Sequence, residues 1–311
     1  MKSQDPSTKT SRLAVIIASK GRADELGDWI GHMRRQSRKP AVMIWAVHSD
    51  DDLPDIAATA RDGSIASDDT PLLVVKSKPG SSSQRNAGLA AAPDDIDIVA
   101  YFDDDYTPSD TCIERIEQFF QDFPDILGAT GLLLADGINS PGISAENALA
   151  LVADHDAKPV TATVCKARYG LYGCNMAYRR AALSGISFDE QLPLYGWQED
   201  IDFSRQVAAR GTICWTNAFA GVHRGTKRGR TSGTRFGYSQ IANPVYLYLK
   251  GTMSARVMMR LMVRNVLANH AKALRPEPWV DRIGRVRGNW HALTDLLAGR
   301  LHPSRVVDMA P

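Results

Sequence analysis

The sequence predicts an α/β fold, a mostly parallel sheet flanked by helices, with a helical C-terminal extension. Three observations carry this. Four short apolar runs fall in the first third, at 13–17 (LAVII), 42–47 (VMIWAV), 72–75 (LLVV) and 98–102 (IVAYF), and each reads as a strand buried on both faces. Between the first two, Leu26, Trp29, Ile30 and Met33 recur at i, i+3, i+4 and i+7, the stripe of a helix that covers a sheet. Beyond Gly237 the pattern is helical to the end of the chain.

Strand, helix and strand at this spacing imply a parallel crossover, and its repetition implies a Rossmann-like open sheet. Further along, Ile113, Ile116, Phe119 and Phe120 mark a second helix, started by Thr107 or Ser109 around Pro108. Strands are expected at 127–134, 160–165 and 212–218, with helices at 144–154 and 198–210; Gly211 suits the end of the latter. A loop at 221–237 gathers His223, Arg224, Lys227, Arg228, Arg230 and Arg235 among glycines. The expected division is a polar leader at 1–11, a sheet domain at 12–225, and a basic loop with helices at 226–311.

Composition narrows the function classes. With 44% hydrophobic and 23% charged residues over 311 positions the chain can bury a large core, and a net charge of +2 does not make the whole molecule a polyanion binder. The basic excess is concentrated: from Lys250 onwards eleven Lys and Arg face four acids. Four cysteines without CxxC spacing read as reduced thiols. The leader lacks an apolar signal region, and no run approaches the roughly 18 apolar residues of a membrane span. A cytoplasmic protein is expected.

In an open α/β sheet, ligands bind beyond the carboxyl ends of the strands. Read off in order, those ends are Ser19 to Arg22, His48 to Asp52, the stretch KSKPGSSSQRNAG (76–88), and Asp103-Asp104-Asp105. Three adjacent carboxylates repel one another, which raises their pKa values or recruits a cation. Hard divalent ions, Mg²⁺ or Mn²⁺, want such oxygens, and Mg²⁺ completes its shell with water and phosphate, so a sparse site implies a phosphate-bearing ligand. The plain alternative is a solvated acidic turn before a helix.

An apolar strand ending in Asp-x-Asp, preceded by QRNAG and followed some ninety residues later by GWQEDIDFSRQ (196–206), resembles the inverting family 2 glycosyltransferases of GT-A fold over about residues 12–225. The resemblance implies a nucleotide-diphosphate-sugar donor, UDP-sugar being the common choice. It directs Asp103 to the ribose and Asp105 to the metal, with Asp104 available to either. Asp50 or Asp51 would meet the base; His48 and Ser49 stand where the family usually has an acid. Arg85 would lie against base or phosphates, and Ser19 and Arg22 would line the same pocket. Asp200 would be the general base, with Glu199 beside it and Asp202 structural, while Arg205 either orients Glu199 or is solvated. His223 stands where some relatives add a metal or diphosphate ligand, although a lone histidine is commonly a packing residue. The basic loop, Arg228 included, suits a flap over the diphosphate. Residues Tyr172 to Asn175 would shape the sugar and acceptor pocket, and Trp197 would stack on a sugar.

Arg256, Arg260 and Arg264 recur every four residues beside Val257, Met258, Leu261 and Met262. This basic amphipathic pattern suits either ordinary packing or an anionic membrane face. The second use matches a lipid-linked glycan acceptor on the inner face of the cytoplasmic membrane, as in surface polysaccharide assembly. Two other readings compete. A sugar nucleotidyltransferase would want a glycine-rich, lysine-containing loop after the first strand, where ASKGRADEL has one glycine. A non-catalytic membrane or nucleic-acid module would rest on the basic tail, but no aromatic-basic platform for nucleic acid is present.

Overall fold

The computed structural model describes residues 11–55, 70–159, 161–229 and 231–309; the leader at 1–10 and Arg230 lie outside them. Four parallel strands run as expected: β1 (Leu13–Ala18), β2 (Val42–Val47), β3 (Leu72–Lys76) and β4 (Ile98–Asp103). Five more follow, β5 (Tyr106–Pro108), β6 (Ile126–Asp136), β7 (Cys165–Ala167), β8 (Asn175–Arg179) and β9 (Thr212–His223). The sheet order is β3-β2-β1-β4-β8-β6-β9-β5, with β7 added on β9. Strand β8 lies antiparallel between β4 and β6, so the sheet is mixed beyond β4.

Alternate residues of each central strand feed opposite cores, as the two-residue period of a strand requires. Leu13, Val15, Ile17 and Phe102 join Trp29, Ile30, Ile116 and Phe119 on one face. These partners come from α1 (Ala23–Arg35) and α3 (Cys112–Asp122). On the other face Ala14, Ile16, Val99 and Tyr101 join Met176, Tyr178, Phe188 and Phe203. That side is covered by α2 (Ser81–Ala91) and α5 (Glu199–Ala208). Both helix stripes predicted from spacing are buried throughout. Each such side chain is worth about 1.5–3 kcal/mol of burial. Gly88 of the RNAG run is where α2 meets β1: a Cβ there would stand 2.5 Å from Ile16 Cγ2.

Three local expectations change. The strand expected at 160–165 begins only at Cys165, because 161–164 are exposed and only 165–167 pair with β9; residue 160 lies outside the described set. Residues 106–108 are strand and not helix start, since Tyr106 and Thr107 pair with His223 and Val222; α3 starts at Cys112 instead. Strand β9 runs on past 218 to His223, and that extension brings His223 beside the aspartates.

The remaining helices are α4 (Ala145–Asp156), α6 (Gly233–Lys250), α7 (Ala255–Ala273) and α8 (Arg282–Leu297). Helices α6 and α8 approach through glycines: a Cβ on Gly237 would stand 2.1 Å from Arg285 O, and one on Gly288 2.0 Å from Thr234 O. The apolar side of α7 is spent on packing, Met262 against Tyr238 and Ile241, and Val257, Met258 and Leu261 against Leu192 and Leu247. Its outer face leaves Met259 50%, Val263 49% and Leu267 64% exposed, alternating with exposed Arg256, Arg260 and Arg264.

Candidate active site

The polar residues meet where β1, β4 and β9 end. Asp103 is the most open of the three aspartates, 35% exposed, while Asp104 and Asp105 are buried. Asp104 is taken up by the chain itself: one oxygen accepts from Ser19 Oγ at 2.7 Å and the other from Arg22 Nη1 at 2.7 Å. Burial lifts its pKa to about 6 against the pull of Arg22. Asp105 accepts from Thr226 N at 2.7 Å and lies 3.5 Å from His223 Nε2. Burial opposes its charge, but His223, Arg22 and the Thr226 N–H together outweigh burial and hold its pKa below the usual carboxylate range.

His223 sits at the end of β9 with Nδ1 2.9 Å from Asp136 Oδ1, and Tyr172 Oη donates to the other Asp136 oxygen at 3.2 Å. Burial would discharge the ring, yet the Asp105 and Asp136 contacts raise its pKa to about 10. Asp103, Asp105 and His223 each offer a ligand atom, and these atoms lie within 4.8 Å of one another. Two carboxylates and an imidazole whose far nitrogen is held by a third carboxylate form a donor set that fits a divalent cation, the outer carboxylate fixing tautomer and ring orientation. In the described structure these charges offset one another through the histidine, which would have to lose its Nε2 proton to ligate.

Arg85 joins this centre to α5. It is buried, pairs with Glu199, and donates to Asp103 Oδ1 at 2.8 Å and to Gly173 O at 3.2 Å. It is therefore enclosed by protein rather than open to a nucleobase. Glu199 turns toward Arg85, and burial together with the neighbouring Asp200 and Asp103 lifts it to about 8 against the pull of Arg85. Asp200 is partly exposed in the first turn of α5 and accepts from Gly173 N at 2.9 Å and from Ile201 N at 2.8 Å. Enclosure raises its pKa, while those N–H groups and Arg85 pull it down. The loop before it carries two non-glycine residues in left-handed backbone, Leu194 at φ 59° and Gln198 at φ 77°. Asn243 of α6 holds that loop by donating to Trp197 O at 2.8 Å.

Several expected residues have other surroundings. Asp50 is exposed and pairs with Lys76 at 2.7 Å, and Asp51 is exposed beside it. The buried acid of that run is Asp52, which accepts from Gly21 N, His48 N and Ser49 N and so ties β1 to β2. Sequence reasoning passed over it, although Ser49 and Asp52 have capping-box spacing. Asp136 was also missed; it ends a strand as Asp103 does, but as a lone acid carries no repulsion to explain. Asp202 is buried and bonded to Lys250 and Thr252, a link to α6. Arg205 lies over Tyr169, 4.6 Å from its ring centre, and does not orient Glu199. Trp197 packs on Phe236. The basic loop is fastened over the site: Arg228 pairs with Asp24 and Glu25, its carbonyl accepts from Arg22 Nε at 2.9 Å, and Lys227 Nζ donates to Gly137 O and Ile138 O.

Residues 14–186, more than half of the chain, match the family model described as glycosyl transferase family 2. The chain belongs to glycosyl transferase family 2. Membership decides for a transferase over the nucleotidyltransferase and binding-module readings. The GT-A fold is shared with S. aureus TarS 1–349, which is 15% identical over 95% of this chain and 82% of that one at TM-score 0.55. The same protein in complex with UDP-GlcNAc matches at 16% identity, 95% and 82% coverage and TM-score 0.54. In complex with UDP it matches at 14% identity, 93% and 83% coverage and TM-score 0.52. No curated protein matches in sequence. Among the described residues of this family 2 chain, no helix is long and apolar enough to cross a membrane.

Proposed function

We propose that this glycosyltransferase transfers a sugar, with inversion at the anomeric carbon, from a UDP-sugar to a hydroxyl of a glycan or lipid-linked glycan. The observation that carries the reading is the convergence of Asp103, Asp105 and His223 within 4.8 Å, joined through Arg85 to Glu199 of α5. Asp103, Asp105 and His223 would hold Mg²⁺ or Mn²⁺, which when bound offsets the charge that develops on the departing diphosphate. The TarS complexes with UDP and UDP-GlcNAc, on the same fold, support the choice of nucleotide.

Asp200 acts as general base. Two backbone N–H groups fix its carboxylate, so its orientation does not depend on substrate. The acceptor oxygen bonds to the anomeric carbon as the bond from that carbon to the diphosphate oxygen breaks, and the acceptor proton passes to Asp200. Glu199 is a positioning residue acting through Arg85. Residues 12–225 form the catalytic unit and 226–311 the flap and helical extension. The exposed arginines and apolar residues on the outer face of α7 support a peripheral contact with an anionic lipid surface, the inner face of the cytoplasmic membrane, where a lipid-linked acceptor in polysaccharide assembly would be found.

A screen of UDP-, GDP- and dTDP-sugars for Mn²⁺-dependent thermal stabilisation and slow hydrolysis tests the donor, and proton NMR of the released sugar tests the stereochemistry. Inverted product from a UDP-sugar is expected. Retained configuration, or hydrolysis indifferent to metal, would contradict the reading.

A further inference from the structure

A surface cavity of about 380 Å³ opens between β6, β9 and the segment 168–172, lined by Leu132, Leu133, Arg168, Tyr172 and Trp215. Its volume falls in the range of small-molecule sites, roughly 300–1,000 Å³. Tyr172 is shared with the catalytic centre: its ring meets that of His223 at 5.8 Å, its hydroxyl bonds Asp136, and the next residue, Gly173, holds Asp200. The cavity therefore begins where the acceptor must arrive.

Its chemistry differs from that of the centre. Cys165 to Ala167 pair antiparallel with β9, with Lys166 opposite Trp215, and Lys166 Nζ lies 5.6 Å from the Trp215 ring centre. Two residues on, Arg168 lines the cavity itself. Both cations are exposed, and neither has a carboxylate partner among the described residues, although most basic side chains near the centre are paired. An aromatic face gives a sugar ring a stacking surface, and a forked guanidinium beside it matches phosphate or carboxylate. Unpaired cations are also the natural counterweight to the carboxylates Asp103, Asp136 and Asp200, whose field would repel an anion approaching Tyr172.

We propose that this cavity is the acceptor site and that it takes an anionic glycan, a sugar bearing phosphate or carboxylate, bound through Arg168, Lys166, Trp215 and Tyr172. The inference rests on the transferase reading above but concerns only the acceptor side. Ligand-observed NMR with glucose 6-phosphate, glucuronic acid and methyl glucoside, on protein alone and on protein loaded with UDP and Mn²⁺, tests it. At low salt at least one anionic sugar should bind about tenfold more tightly than methyl glucoside; which one distinguishes phosphate from carboxylate. That preference should collapse at about 1 M salt, where screening acts within about 3 Å, and in Arg168→Ala. Trp215→Ala should weaken all three sugars, and UDP–Mn²⁺ affinity should be unchanged in both variants. Equal binding of methyl glucoside and the anionic sugars, or a preference untouched by Arg168→Ala, would overturn the proposal, whereas a wild type that fails to bind UDP counts against the donor reading alone.

Discussion

Among the described residues, two of the buried polar networks are built on opposite plans. Between α6, α7 and α8, Asn269 donates to Gln240 and to Asn289, Arg282 donates to Asn269, and Asn289 donates to Gly237 O. The amide groups there bind each other, and Arg282 carries the network on to an ion pair with Glu277, so its partners all lie within the protein. At the ends of β1, β4 and β9 the groups are carboxylates, and the partners that offset them face outward as much as inward: Asp103 stays partly exposed, and Asp105 and Asp103 turn toward one His223 nitrogen. A network whose amides and one ion pair are met within the protein specifies packing, because each unmet amide would cost about 1–3 kcal/mol. A charged one that converges without closing has valence left for a ligand. Polar burial alone would not separate the two regions; closure does.

Substitutions on the two sides should therefore separate cleanly. The largest effect is expected for Asp200→Asn, which matches aspartate in shape and can keep one of the two N–H contacts, each accepted by a different oxygen, but cannot take a proton: transfer should fall about 10²–10⁴-fold in a steady-state assay, with UDP affinity retained. Asp136→Ala comes next. It frees His223 Nδ1, and Mn²⁺ affinity should fall about 10- to 100-fold by calorimetry. In the bundle, Asn269→Ala should lower unfolding free energy by about 1–3 kcal/mol in urea while kcat per folded molecule stays the same; a selective loss of kcat would erase the distinction between the networks.

The pH dependence sharpens the same contrast. As the proposed general base, Asp200 would serve only when deprotonated, and enclosure raises its pKa. Activity should accordingly rise with pH through a value above the roughly 3.9 of a free aspartate, and Asp200→Asn should lose that limb of the kcat/KM profile. The smallest effect is on α7: Arg260→Glu with Arg264→Glu should reduce sedimentation with phosphatidylserine vesicles, each basic charge being worth about 1 kcal/mol near the surface, without altering hydrolysis of donor in solution.

Much of this was legible in the sequence because periodicity and burial coincide. The stripe Leu26, Trp29, Ile30, Met33 and the four leading strands stand where their patterns put them. The aspartate triplet was legible for a different reason, since side-by-side carboxylates demand an explanation. What could not be read was pairing across distance. Arg85 and Glu199 are separated by 114 positions and His223 and Asp136 by 87, and only the sheet order, with β8 inserted antiparallel between β4 and β6, brings them together. Strand β5 was hidden because three residues carry no period, and the apolar side of α7 gave the same pattern for packing as for membrane contact. Asp52 looked like its exposed neighbours Asp50 and Asp51 until three backbone N–H groups were found pointing at it.

The most direct measurement is calorimetric titration of UDP, with and without Mn²⁺, into the wild type, Asp105→Asn and Asp200→Asn. The account predicts Mn²⁺-dependent binding in the wild type, the same binding in Asp200→Asn, and none in Asp105→Asn. Mn²⁺-dependent binding of full strength in Asp105→Asn, with transfer intact, would contradict it.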